Sequence, residues 1–173
     1  ITGKTRPDTG DVLWKGEVDL TREDETSVAR LGIGRKFQRP TVFETHTVED
    51  NLRLALKAER GVFATLLATG SRTEQARIDA LLDLIRLADR RYEAAADLSH
   101  GQKQWLEIGM LLAQEPELLL VDEPAAGMTD DETRETAELL RGIAGERSVI
   151  VVEHDMDFVR MLDVRVTVLH EGS

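Results

Sequence analysis

The sequence predicts an α/β fold in which a parallel sheet carries an inserted all-helical section. Three observations predict it. Apolar runs of strand length at Leu118–Val121, Ser148–Val152 and Val164–Leu169 alternate with helical stretches at about Asp131–Ile143 and around Phe158, and that alternation specifies parallel strands with right-handed crossovers. The first of these runs is continuous rather than alternating, as in a strand covered on both faces. Between residues 45 and 115 the apolar period is helical throughout, so that stretch reads as an insertion into the sheet.

Taken in order, Asp8-Thr9-Gly10 is a turn signal and Asp11–Gly16 a short strand candidate. Thr21, with Asp24 three positions on, is an imperfect capping box ahead of a short helix through Ser27, Val28 and Ala29. Gly32–Gln38 reads as a strand halted by Pro40. Val48, Leu52 and Leu56 recur on one helical face, and Ile78, Leu81, Leu82 and Ile85 mark a second helix over about Ser71–Leu87. A third helix opens at Ser99. It is apolar on most sides, with Leu106, Met110 and Ala113 on one face and Ile108, Leu111 and Leu112 on another, and should be buried. The resulting division is 1–44 as partial core, 45–115 as helical subdomain and 116–173 as the rest of the core.

Composition narrows the function. The 173 residues carry a net charge of -11. That argues against nucleic acid as a partner, because such affinity comes largely from cations on phosphates, and against a basic patch docking on an anionic membrane. Cysteine is absent, which excludes a disulfide scaffold and a thiolate metal site. No apolar run approaches the roughly 20 residues a membrane-spanning helix needs.

Four segments carry chemistry. In Leu118–Pro124 a buried strand delivers Asp122 and Glu123 at its C-terminal end, the edge where α/β sheets bind ligands. Adjacent carboxylates there repel unless a cation or proton is shared. Mg²⁺ with a phosphate accounts for both, one carboxylate holding the ion and the other polarising a water; an acidic turn after a core strand accounts for them equally well. Ser99-His100-Gly101-Gln102 opens the buried helix, whose N-terminus offers free N–H groups and partial positive charge, although Ser99 alone is a plain N-cap. Val149–Val152 ends abruptly in Glu153-His154-Asp155, and Gln38 ends its own strand.

In this order and spacing the four segments resemble the ABC ATPases. Gln38 is similar to their Q-loop glutamine, Leu98–Gln102 to the LSGGQ signature with His100 in place of its first glycine, Leu118–Glu123 to the Walker B strand, and His154 to the switch histidine. The resemblance implies a P-loop NTPase-like core, ATP and Mg²⁺ as cofactors, and a head-to-tail dimer in which each ATP lies between one subunit's Walker motifs and the other's signature helix. It implies Glu123 as base, Asp122 and Gln38 at the metal, His154 ordering the γ-phosphate, and Ser99, His100, Gly101 and Gln102 as nucleotide contacts. The implied partners are transmembrane permease subunits, with this chain peripheral at the cytoplasmic face of the inner (cell) membrane. Gly34–Pro40, Glu123–Met128 and Ser99–Met110 look most like the subunits of branched-chain amino acid importers and their urea-transporting relatives, the urea type nearest.

Besides His100, two features depart from that pattern. Thr129 stands where many relatives have Asp. The Walker A strand, loop and helix are also missing, since Gly3-Lys4-Thr5 is followed by Arg6-Pro7-Asp8 and the G-x-x-x-x-G-K-[ST] loop is incomplete. The expectation is therefore a relative shortened at its N-terminus and inactive by itself. A soluble ABC-type ATPase unconnected with transport and a non-catalytic interaction module remain open readings.

Overall fold

The computed structural model describes residues 7–35, 42–58 and 72–169. Within them a parallel sheet holds three strands in the order β3 (Ile33–Arg35), β4 (Leu118–Asp122) and β5 (Ser148–Val152). Ile33 lies opposite Leu118, and Leu118 opposite Ser148. β4 is the central strand and is apolar to its last residue, with Leu119 and Val121 buried, as a doubly covered parallel strand requires.

Ahead of the sheet stands a small antiparallel hairpin of β1 (Leu13–Trp14) and β2 (Val18–Asp19). Its turn puts Lys15 at φ 52° and Gly16 at φ 76°, two left-handed residues in the three-residue connection between the paired Trp14 and Val18, closed by Glu17 N–H to Trp14 O at 3.0 Å. The sequence reading expected one strand here and missed its partner. It also placed the cap of the next helix at Thr21. The cap of α1 (Glu25–Arg30) is instead Asp24, whose carboxylate accepts the Ser27 N–H at 2.7 Å, while Thr21 lies in a 3₁₀ turn capped by Asp19.

The helical middle consists of α2 (Val48–Ala58), α3 (Arg72–Leu84) and α4 (His100–Leu112). Val48 and Leu52 of α2, Ile78 and Leu82 of α3 and Leu106 and Ile108 of α4 are fully buried against one another. The same cluster continues into Leu119 of β4, Leu140 of α5 (Asp130–Ala144) and Phe158 of α6 (Met156–Leu162). The inserted helices and the sheet thus share one contiguous core. Within the helical part Gly109 permits the close approach of α4: a Cβ there would lie 2.8 Å from Ile85 Cδ1 and 3.1 Å from Leu52 Cδ2. Among the described residues no helix is long and apolar enough to cross a membrane.

Two expectations about the sheet are corrected. Val164–Leu169 forms no strand, and Val164, Val166, Val168 and Leu169 are exposed. Its composition is that of a strand, but no described strand lies beside it to supply a ladder, and unpaired backbone gains nothing from an extended conformation. β5 is a strand as expected, yet Ile150 and Val152 are exposed on it. The described residues cover that strand on one face only.

Candidate functional site

The last turn of β4 separates two adjacent carboxylates. Asp122 ends the strand with its Oδ2 4.0 Å from the Arg35 guanidinium on β3. Glu123 leaves the strand in the left-handed region, at φ 47°, a conformation that costs a residue with a Cβ on the order of 1 kcal/mol. Its N–H is held by Val152 O at 2.9 Å. The kink sends the Glu123 side chain across to the end of β5, where its Oε1 stands 3.6 Å from Nδ1 of His154. That is an electrostatic contact, longer than a hydrogen bond. It faces solvent, the His154 side chain being 79% exposed and that of Glu123 41%. Asp122 and Glu123 therefore meet different partners.

Beside His154 lies a carboxylate to which the sequence assigns no role. The Glu153 side chain is only 3% exposed. Its Oε2 accepts the N–H groups of His154 at 2.7 Å and Asp155 at 3.2 Å and lies 3.4 Å from His154 Nδ1. Its Oε1 accepts the Ala125 N–H at 3.3 Å, in the loop after β4. A polar residue ending an apolar strand is a weak sequence signal, and its reach to Ala125 is tertiary.

The N-terminus of α4 is built differently. Ser99 and Gln102 form a reciprocal capping box, Ser99 Oγ accepting the Gln102 N–H at 3.2 Å and Gln102 Oε1 accepting the Ser99 N–H at 3.0 Å. Thr129 and Glu132 make a second such box at the start of α5. The two are joined, because Ser99 Oγ also donates to Glu132 Oε1 at 2.6 Å. The Ser99 hydroxyl, and after it the Thr129 N–H, hold the Glu132 carboxyl below the ordinary glutamate range. Gly101 leaves room for this: a Cβ there would lie 2.7 Å from the Glu132 carboxyl group. His100 turns the other way, its Nε2 3.2 Å from Ala126 O and 2.8 Å from Gln104 Nε2. Behind them Trp105 Nε1 donates to Thr136 Oγ1 at 2.8 Å and locks α4 to α5. The role of Glu132 was legible, since Thr129-x-x-Glu132 before a helical run is a capping-box signature.

The predicted residues thus form two groups. Asp122, Glu123 and His154 gather at the strand ends, with Glu123 and His154 in direct contact. Ser99, His100, Gly101 and Gln102 gather at the start of α4 and contact Glu132 and Ala126. Gln38 lies outside the described residues. Among those residues no group of three or more His, Asp or Glu could hold a metal ion. A magnesium ion carried by phosphates needs only one or two protein carboxylates, and Asp122, part-exposed at a strand end with only the Arg35 guanidinium 4.0 Å away to displace, offers one.

Comparison with known proteins places this geometry. The ABC transporter family model matches residues 1–126. The branched-chain amino acid transport ATP-binding protein LivG of Escherichia coli K12 is 31% identical over 182 residues, covering all of this chain and 71% of LivG. The methionine import ATP-binding protein MetN of Mesorhizobium japonicum is 34% identical over 175 residues, covering 99% of this chain and 46% of MetN. Among solved structures, the ADP conformation of MJ1267, an ATP-binding cassette of an ABC transporter, superposes with a TM-score of 0.75 at 25% identity, over 94% of this chain and 66% of that one. The cbiO1 protein of Clostridium perfringens, part of the ABC transporter complex cbiONQ, gives 0.75 at 25% identity, over 93% and 62%. The chain therefore spans about two thirds of these solved structures. A buried strand ending in two carboxylates, a histidine at the end of its neighbour and a capped helix start, in a chain with these relatives, lead to one assignment: the chain belongs to the ABC transporter family, as an ATP-binding cassette domain.

Proposed function

We propose that this chain comes from the ATP-hydrolysing subunit of an ABC importer for branched-chain amino acids or urea. The observation that carries the reading is the pairing of Glu123 with His154 across the ends of β4 and β5, 3.6 Å apart and open to solvent. A carboxylate there can take a proton from water, and an exposed imidazole beside it can turn toward an anion. Asp122, facing away toward Arg35, would hold Mg²⁺ with Gln38, and the ion would supply charge compensation for phosphate oxygens. Ser99, His100, Gly101 and Gln102 would meet the nucleotide of a second subunit in a head-to-tail dimer. The permease subunits would dock from the membrane, placing this chain at its cytoplasmic face. LivG supports the amino-acid reading by identity, and Ser99–Met110 supports the urea type by its sequence.

The 173 residues hold no complete G-x-x-x-x-G-K-[ST] loop, the source of the amide nest and lysine that grip phosphates. By themselves they should neither bind Mg·ATP in the micromolar range nor turn it over, and calorimetry on the isolated chain checks this. The main test is phosphate release by the full-length subunit assembled with its permease, with urea or a branched-chain amino acid supplied to the transporter. Stimulation by one solute identifies the substrate. An assembled subunit that binds no ATP overturns the reading.

A further inference from the structure

We infer that Glu153 is the positioning residue of this site: its buried carboxylate ties the loop after β4 to the loop after β5 and so fixes Glu123 against His154. The inference deepens the function proposed above and rests on it for its catalytic consequence, though not for its structural one.

Glu153 is an ionisable group removed from water, at 3% exposure, among neighbours that are far more open. Burying a carboxylate is unfavourable unless donors replace its hydration. Here three backbone N–H groups do so, from Ala125, His154 and Asp155. Charge-assisted bonds of this kind are the stronger class. They come from two separate loops, and those loops carry the two groups that must meet. Ala125 lies two residues beyond Glu123, whose own N–H is pinned to Val152. His154 follows Glu153 directly. Besides the ladder bond at Glu123 and the longer Glu123–His154 contact, the Glu153 carboxylate links these loops by hydrogen bonds to both. His154 Nδ1 also lies between Glu153 Oε2 at 3.4 Å and Glu123 Oε1 at 3.6 Å. Both carboxylates thus stand on the Nδ1 side of the His154 ring. Asp155, by contrast, is spent on capping α6 through the N–H groups of Asp157 and Phe158.

The test compares Glu153→Ala and Glu153→Gln in the full-length subunit by amide hydrogen exchange and steady-state phosphate release. Glu153→Ala is expected to speed exchange at Ala125 and at residues 154–155 together, and to lower kcat about tenfold or more with the KM for ATP within twofold, since a misplaced base costs rate rather than binding. Glu153→Gln keeps the shape and one acceptor oxygen, so it should recover exchange protection on one loop and part of kcat. It also decides the matter if the alanine variant does not fold. Asp155→Ala should loosen residues 154–158 and leave Ala125 unchanged. Unchanged exchange at Ala125 in both Glu153 variants overturns the tether, as does a loss confined to KM. If the wild-type subunit hydrolyses no ATP, the proposed function fails while the exchange comparison still decides the tether.

Discussion

The start of α4 and the ends of β4 and β5 are the two halves of the candidate site, and they are finished to different degrees. At the start of α4 the capping groups are already paired. Ser99, Gln102, Thr129 and Glu132 satisfy one another across two helix N-termini, and one carboxylate serves both. At the strand ends the opposite holds. Glu123 sits in a costly backbone conformation, and its partner His154 is 79% exposed and 3.6 Å away. The helix start is stabilised by the fold itself, whereas the strand ends leave Glu123 and His154 open to solvent. Lys15, Arg86, Glu115 and Asp163 share that backbone region elsewhere, so it is the nearness of Glu123 to His154 that sets this place apart.

The largest expected effect breaks the open half. In the full-length subunit, Glu123→Gln should lower phosphate release by roughly 10²–10⁴-fold, the usual worth of a general base, while ATP binding persists. Asp122→Asn should instead weaken Mg²⁺-dependent binding, because the ion loses a charged anchor. Parallel measurements of phosphate release and nucleotide affinity separate the two roles. Wild-type turnover in Glu123→Gln would remove it as base and leave His154 as the next candidate. His154→Ala should leave the melting temperature unchanged, since a side chain so exposed contributes within about 0.5 kcal/mol. A marked loss of stability would show that the strand ends are as closed as the helix start.

The closed half is broken by adding one carbon. A Cβ at Gly101 would meet the Glu132 carboxyl at 2.7 Å, while one at Gly142, inside α5, would meet nothing within 4 Å. Gly142→Ala should stabilise the chain by about 0.5–1 kcal/mol through helix propensity. Gly101→Ala must displace Glu132 from Ser99 and should destabilise by about 1–2 kcal/mol. Denaturant titration of the pair tests this, and equal shifts of the same sign would mean that Glu132 yields without cost.

The same contrast shows what the sequence could reveal. α4 begins where Ser99 promised, and β4 and β5 run where their apolar runs lie, because caps and buried strands are local signals. Asp24 capping in place of Thr21 is a one-turn error within a run of interchangeable polar residues. β2 escaped notice because two residues are too few to show a period, and Val164–Leu169 reads as a strand until one asks what would pair with it. At the site, residue types and order pointed to Asp122, Glu123, His154 and Ser99. The reach of Glu153 to Ala125, 28 residues away, and of Glu132 to Ser99, 33 away, follows only from packing.

The smallest expected effect sharpens the comparison through pH. Glu132 is held below the ordinary glutamate range, chiefly by the Ser99 hydroxyl. A carboxyl whose folded-state value is depressed adds stability that is complete above its unfolded value and is lost as pH falls through the folded one. Glu132→Gln keeps the size of the side chain but replaces one acceptor oxygen with a donor. It can still accept from Ser99 or from Thr129, but not from both. At neutral pH it should therefore be less stable than the parent by about 1 kcal/mol, the usual cost of a lost helix cap. As pH drops below the carboxylate range the parent protonates, loses the same acceptor and approaches the variant. The two stability curves should converge on the acid side and stay parallel above it. A gap that persists unchanged into acid would mean that the charge of Glu132 contributes nothing and that its shape alone joins the two helix starts.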